Sequence, residues 1–278
     1  MPDGRGLIPL DEVSRRLGLK GQSYGGIRAI QIERIIGTVD RDHDFDREFR
    51  LRRAHIGQRL ASVRRAFPDG AFPPISVFEI GGSYFVSDGH KRVAVAREMG
   101  IDSIDAEVIR LDTGYELPAD VDIRQLIHTQ QHRLFMEQTG LEFVRPRTRI
   151  EFSRPQGYRE LLEIVKAHGF DLMQQAGFRL ELPEVAVRWY DDVYRPAVAA
   201  LHREELPADY AYKTEADLFL CIYGKQRDLL VEDASVDFAA AARKTRGTRV
   251  SRRFKRQVLR DKRTLLRRKP RRPASGGA

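Results

Sequence analysis

Cysteine is almost missing from this chain: its 278 residues include one, Cys221, so no disulfide can form within it. This excludes the disulfide frameworks of small secreted domains and favours a reducing compartment, the cytoplasm. Long apolar runs are missing too, so no transmembrane helix is expected, and Asp3, Arg5, Asp11 and Glu12 interrupt any signal-peptide core. With 41% apolar residues, the chain is still long enough to bury a core in about two domains.

Acidic residues are scarce only near the C-terminus. Residues 243–272 contain 16 Lys and Arg but one acid, Asp261, whereas residues 1–242 contain 33 basic and 39 acidic residues. The net charge of +9 therefore hides an acidic body and a strongly basic tail.

The basic tail also has an apolar pattern. Val250, Phe254, Val258 and Leu265 recur at helical spacing and predict an amphipathic helix over about residues 249–268. A disordered, self-repelling tail is the alternative, although it needs no such pattern.

Nucleic acid is the leading partner of this tail, DNA before RNA, because phosphates release counterions as cations approach. An anionic membrane ranks lower, since the helix lacks Trp, and docking on the acidic body of another copy, in a homodimer, is a third alternative. The candidate nucleic-acid-binding residues are Arg249, Arg252, Arg253, Lys255, Arg256, Arg260, Lys262, Arg263, Arg267, Arg268 and Lys269.

Residues 75–97 carry the most informative pattern. β-Branched and aromatic residues on both sides of Gly81-Gly82 predict a β-hairpin. After it, Asp88 is the predicted N-cap of a helix over Gly89–Met99, which Gly100 ends.

The first turn of this predicted helix reads Gly89-His90-Lys91-Arg92. Basic side chains are unfavourable at a helix N-terminus unless an anion offsets them, whereas backbone N–H groups and the helix dipole there favour anions. The turn therefore predicts a phosphate site. The alternative is a solvated basic face with Asp88 acting only as a cap.

These motifs resemble the ParB/sulfiredoxin-like fold over about residues 28–111. The family order is strand, helix, P-I-x-V, hairpin, a glycine-basic motif that opens a helix, and a final strand. The matching residues are Pro74-Ile75-Ser76-Val77, Tyr84-Phe85-Val86, Asp88-Gly89-His90-Lys91-Arg92, Ala94, Ala96, Gly100 and Ile104–Ile109.

The resemblance implies that the glycine-basic motif holds nucleotide phosphates, the ligand being a nucleoside triphosphate (CTP or ATP/ADP) with Mg²⁺. Thr38 and Arg41 are what remains of a first CTP motif, and Arg133 of a second. Sulfiredoxin chemistry is not expected, because Cys221 lies outside the matched region.

Free-serine kinases of the same fold imply an alternative, a small-molecule phosphotransferase. Asp42, Asp44 or Asp46 would then accept the hydroxyl proton or hold Mg²⁺, although a solvated acidic loop is the simpler interpretation. His128 and His132 have the spacing of a helical metal pair, but no third ligand is evident and no metal site is predicted.

Periodicity predicts a short helix within residues 7–17, a first strand over Ile27–Ile36 and a helix over Leu51–Phe67. Further helices are predicted over Ile123–Thr139, Gln156–His168 with Gly169 as its stop, Glu184–Glu205 with a kink at Pro196, and Glu215–Val231 capped by Thr214. The stretch 189–230 resembles a helical region that accompanies ParB-like domains in bacterial proteins.

The sequence therefore predicts an α+β protein. Its parts are an extension with a short helix (1–26), a ParB/sulfiredoxin-like domain (27–112), a mainly helical domain (113–242) and the basic tail (243–278). The expected function is a nucleotide- or phosphate-responsive regulator that binds nucleic acid through its tail, because a metabolic kinase has no evident use for so basic a tail.

Overall fold

A computed structural model describes residues 6–40, 44–50, 52 and 57–246 of the chain, with only the backbone for 57–59. The predicted tail helix, Arg41 and Asp42 lie outside these residues. The described chain divides between Leu126 and Ile127 into two compact units. We call residues 6–126 the sheet unit and residues 127–246 the helical unit. The predicted α+β class is confirmed.

The sheet unit contains, among its described residues, one sheet of six strands in the order β1-β3-β5-β4-β6-β2. Strands β1, β3 and β5 are mutually parallel. Strand β4 pairs antiparallel with β5 and parallel with β6, and β2 pairs antiparallel with β6. The strands are β1 (Ile8–Pro9), β2 (Gly21–Gln31), β3 (Ile35–Thr38), β4 (Ile75–Ile80), β5 (Ser83–Asp88) and β6 (Ser103–Asp112), and the helices are α1 (Leu10–Leu17), α2 (Gly57–Ala66) and α3 (His90–Glu98).

Both faces of the sheet are covered. One apolar cluster joins strand residues such as Val77 and Val108 to Val93 and Val95 of α3. A second cluster joins Phe85 and Leu111 to Val13 and Leu17 of α1. Because β1, β3 and β5 run in one direction, their carboxyl ends lie along one edge of the sheet, the carboxyl edge, where α3 begins.

The predicted hairpin is confirmed, with Gly81 and Gly82 both at positive φ (57° and 91°) between β4 and β5. Gly100, at φ 70°, follows the end of α3 as predicted. Strand, helix, hairpin, helix and strand follow one another from β2 to β6, the order that the family resemblance implies.

The predicted first strand over Ile27–Ile36 is wrong in its bounds. A 3₁₀ turn at Ile32–Arg34 separates β2 from β3, and β2 begins at Gly21, within the glycine-rich segment. Gly25 suits this strand because a Cβ there would lie 3.0 Å from the carbonyl oxygen of Val108.

The helical unit packs its helices around buried aromatic residues, among them Trp189, Tyr158 and Phe219. The helix bounds are α4 (Ile123–Thr139, which starts in the sheet unit), α5 (Leu141–Val144), α6 (Gln156–Ala176), α7 (Leu182–Trp189), a π-helical turn (Tyr190–Tyr194), α8 (Arg195–Arg203), α9 (Leu206–Asp209), α10 (Glu215–Leu230) and α11 (Phe238–Arg246).

Two predicted helices of this unit need correction. Gly169 does not end α6, which continues to Ala176 and Gly177. A Cβ at Gly169 would lie 2.7 Å from Cγ1 of Val185, so this glycine permits close packing of α7 on α6. The predicted Glu184–Glu205 helix extends instead from Leu182 to Arg203, and it includes a π-helical turn just before Pro196.

No helix among the described residues is both long and apolar enough to span a bilayer.

Candidate functional site

The start of α3 lies at the carboxyl edge of the sheet, directly after β5. Gly89 forms the N-cap with φ 101°, and as a glycine it has no side chain that could cap the helix. A Cβ atom added at Gly89 would lie 2.4 Å from Cγ2 of Ile75, so the position combines an unusual dihedral angle with a close approach to β4. The predicted cap at Asp88 is therefore wrong: Asp88 ends β5, and its carboxylate pairs with Arg92 instead.

Thr38 and His90, predicted from separate motifs, contact each other. Thr38 ends β3, beside Val86 of β5, and its Oγ1 lies 2.7 Å from Nε2 of His90 in a hydrogen bond. Both side chains are buried, with His90 5% exposed. The His90 side chain thus links β3 to the start of α3.

The His90 ring also packs on the loop that follows β3. Its centroid lies 6.1 Å from that of Phe45 and 6.5 Å from that of Phe49, and both phenylalanines are buried. The sequence analysis did not single out these two residues. Two aromatic side chains four residues apart in an otherwise charged loop were the available signal.

Arg92 is held by its surroundings. Its NH1 donates to the carbonyl oxygens of Pro73 (2.8 Å) and Pro74 (2.7 Å), and its NH2 donates to Oδ2 of Asp88 (2.6 Å). The guanidinium group therefore fixes the segment that leads into β4, in addition to lying in the predicted phosphate site.

Lys91 differs from Arg92. It is partly exposed, and it forms no ion pair with any acid that the structure describes. Of the two cations in the first turn of α3, Lys91 is thus the one that no described acid neutralises.

Asp46 stabilises the backbone of the acidic loop that follows β3. Its Oδ1 accepts hydrogen bonds from the backbone N–H groups of Glu48 (3.0 Å) and Arg50 (2.8 Å). Between them, Phe49 adopts φ 59°, a strained conformation for a residue with a side chain. The backbone carbonyl of Asp44 accepts from the N–H of Arg52, so this acid too lies in an ordered turn.

Arg97 attaches this loop to the sheet, and the sequence analysis missed it. Its NH2 donates to the carbonyl oxygens of Ile32 and Ile35 (3.0 Å each), and its guanidinium carbon lies 5.1 Å from the centroid of the Phe49 ring. Burial lowers the pKa of Arg97, although Glu48 and Asp46 oppose this shift. The loop that follows β3 therefore packs against α3, and the two form one region.

The histidine pair of α4 is not arranged as metal ligands. Nε2 of His128 donates to the carbonyl oxygen of Phe152 at 2.9 Å, and the His132 ring packs edge-on against Tyr158. Within the described ranges, no three His, Cys, Asp or Glu side chains are grouped as a metal site would require.

The first cations of the basic tail belong to α11. Arg243 pairs with Glu204 at 2.7 Å, and Arg246 pairs with Asp209 at 2.7 Å. These contacts join α11 to Glu204, directly after α8, and to Asp209, the last residue of α9. All eleven candidate nucleic-acid-binding residues, 249 to 269, lie outside the described residues.

No protein-family model and no curated protein matches this chain. A solved structure described as the C2221 form of a Pnob8-like ParB-N domain is similar at 12% identity, over 87% of this chain and 98% of that one, with a TM-score of 0.21. A TM-score this low means that the two backbones do not superpose as a whole.

Proposed function

We propose that this protein is a nucleotide- or phosphate-responsive regulator, in which the start of α3 binds phosphate and the basic tail binds nucleic acid. The observation that carries the proposal is Lys91, a cation without an ion-pair partner among the described residues, in the first turn of a helix whose N-cap is a glycine. Such a helix start offers N–H donors and positive potential together.

The position of this turn supports the same conclusion. In sheets with parallel strands, ligands bind beyond the carboxyl ends of the strands, where helices begin. Here β3 and β5 end side by side, and a hydrogen bond joins Thr38 to His90, one residue from each of the two motifs from which we infer the site. The site would comprise Lys91, Arg92 and the backbone N–H groups of Gly89 and His90, with Thr38 and His90 as buried support. Asp88 and Arg41 complete the set of predicted residues.

A bound nucleotide with Mg²⁺, either a nucleoside triphosphate such as CTP or ATP or the diphosphate ADP, fits this chemistry. Its phosphates would accept hydrogen bonds from the backbone N–H groups and would be attracted by the charge of Lys91. The phosphotransferase alternative gains less support. Asp46, one of its three candidate bases, already has Oδ1 bonded to two backbone N–H groups.

The test is nucleotide binding by the full chain with Lys91→Gln, compared with Lys166→Gln as a matched control. Lys166 lies on α6, where its Nζ pairs with Glu163 at 2.9 Å. Removing one charge-assisted contact worth about 1.5–3 kcal/mol should weaken binding roughly tenfold to a hundredfold for Lys91→Gln only. Equal affinities in calorimetry for the two variants would refute the phosphate site.

The nucleic-acid part of the proposal follows from charge. Beyond α11, residues 247–278 contain 13 Lys and Arg and one acid, whereas residues 1–246 contain 36 basic and 39 acidic residues. A net acidic body should contribute little affinity for DNA, so binding should depend on the tail.

The matching test is a chain that ends at Arg246. This end point keeps α11, whose Ala241 and Ala242 are buried and whose Thr245 carbonyl oxygen accepts from the Tyr210 hydroxyl at 3.0 Å. If about six tail cations contact phosphates, the full chain should bind duplex DNA with a log–log salt slope near −5, independent of base sequence. The shortened chain, checked for folding by circular dichroism, should lose nearly all binding. Undiminished DNA binding by it would contradict the tail's role.

A further inference from the structure

The two terminal nitrogens of the Arg92 guanidinium group, NH1 and NH2, bind different kinds of acceptor. NH1 is fixed by the backbone carbonyl oxygens of Pro73 and Pro74, which cannot leave without moving the entry to β4. NH2 is bound by the carboxylate of Asp88 at 2.6 Å. One side of the group is therefore part of the fold, and the other is occupied by a single side chain.

The two members of this ion pair also differ in exposure. The Arg92 side chain is 18% exposed, whereas that of Asp88 is 77% exposed. Exposed ion pairs add little stability, so the carboxylate can turn into solvent while the guanidinium group keeps its position. Arg92 is thus preorganised for an anion, and its present acceptor is easily replaced.

Asp88 lies outside the helix, before Gly89, at the positive end of the α3 dipole. A pair for comparison is Arg133–Glu137, at 2.7 Å within α4, where the arginine is similarly buried (17% exposed) and both residues lie inside one helix. Asp88 instead places a negative charge where the proposed function places a phosphate.

We propose that Asp88 is a resident competitor: its carboxylate occupies the position of a phosphate oxygen on Arg92, and an incoming phosphate displaces it. This inference rests on the proposed function, because a site that binds no phosphate exchanges nothing with Asp88. Asp88 then sets the ligand concentration at which the regulator responds.

The decisive variant is Asp88→Asn, which keeps the size of the side chain and an oxygen acceptor for Arg92 but removes the charge. The variant removes the screened repulsion between the Asp88 carboxylate and a bound phosphate about 5 Å away. Triphosphate binding should therefore strengthen roughly three- to tenfold. Glu137→Gln is the matched control, since it removes the same charge from an Arg pair in the helical unit, and its affinity should equal that of the wild type.

The experiment titrates full-length, ¹⁵N-labelled protein with inorganic triphosphate, with and without Mg²⁺, and follows the amide signals of Gly89 and Lys91. Because the affinity is determined from these signals alone, triphosphate that binds to the basic tail does not contribute to it. Tighter binding by Asp88→Asn under both conditions supports the inference. Unchanged binding refutes the competition while leaving the phosphate site intact.

Weaker binding by Asp88→Asn only in the presence of Mg²⁺ would make Asp88 a metal ligand and would overturn the inference. Signals of Gly89 and Lys91 that do not move in either protein would overturn the proposed phosphate site itself, and the competition with it.

Discussion

Two helices of this protein begin in opposite ways, α3 in the sheet unit and α10 in the helical unit. At α10, Oγ1 of Thr214 accepts from the N–H of Asp217, and the Asp217 carboxylate accepts from the N–H of Thr214, both at 3.1 Å. Glu215 and Asp217 also place acidic charge at the positive end of the dipole. At α3, Gly89 is the N-cap without a side-chain hydrogen bond, and Lys91 follows.

The difference separates a helix start that serves stability from one that is suited to binding. A capping box satisfies the N–H groups of α10 within the chain, so a ligand would find few donors there. The start of α3 combines N–H groups with cations, an arrangement that an anion would stabilise. Substitutions near the start of either helix test this difference.

The largest effect is expected from Gly89→Ala, because the new methyl group would meet Cγ2 of Ile75 at 2.4 Å in a backbone with φ 101°. We expect a loss of about 3 kcal/mol in the free energy of unfolding, measured with urea. Gly177→Ala is the control, since it has a positive φ of 73° but no atom within 4 Å of its Cβ, and should cost about 1 kcal/mol. Equal losses for the two variants would show that the close approach to β4 is unimportant.

Local patterns predicted most of these elements. The Gly81-Gly82 turn, the Gly100 stop, the Ile123–Thr139 helix and the Thr214 cap depend on residues close in sequence, and all are found in the structure. The start of α3 was predicted one residue early, since Asp88 is a common cap but Gly89 takes that position here.

The remaining errors concern contacts between distant residues. Gly169 resembles a helix stop until Val185 of α7 is placed against it, and Gly25 resembles a loop residue until Val108 lies beside it. The burial of His90 could not be predicted either, because it requires Phe45 and Phe49 to fold over α3. Local sequence therefore indicated which residue types meet at the start of α3, and tertiary packing determined which of their side chains are buried.

A smaller effect is expected from Thr38→Val, which removes the buried hydrogen bond to His90 and should destabilise the protein by about 1–2 kcal/mol. Thr113→Val is the control: Oγ1 of Thr113 is buried without a hydrogen-bond partner among the described residues, so this exchange should be neutral or stabilising. Thermal unfolding of both variants decides the matter. A Thr38→Val protein as stable as Thr113→Val would mean that the Thr38–His90 contact does not hold the site together.

The smallest effect is expected from Thr214→Ala at the start of α10. Loss of the cap should lower the free energy of unfolding by about 1 kcal/mol, as measured with urea, and should leave nucleotide affinity unchanged. A change in nucleotide affinity would contradict the assignment of α10 to stability alone.

The central claim is that α3, and not α10, binds an anion at its start. The most direct measurement is a titration of ¹⁵N-labelled full-length protein with CTP and, separately, ATP in the presence of Mg²⁺, with both helix starts observed in the same spectra. We expect saturable shifts of the amide signals of Gly89, His90 and Lys91, with those of Glu215, Ala216 and Asp217 unmoved. Signals that stay fixed at both helix starts, or that move equally at both, would contradict it.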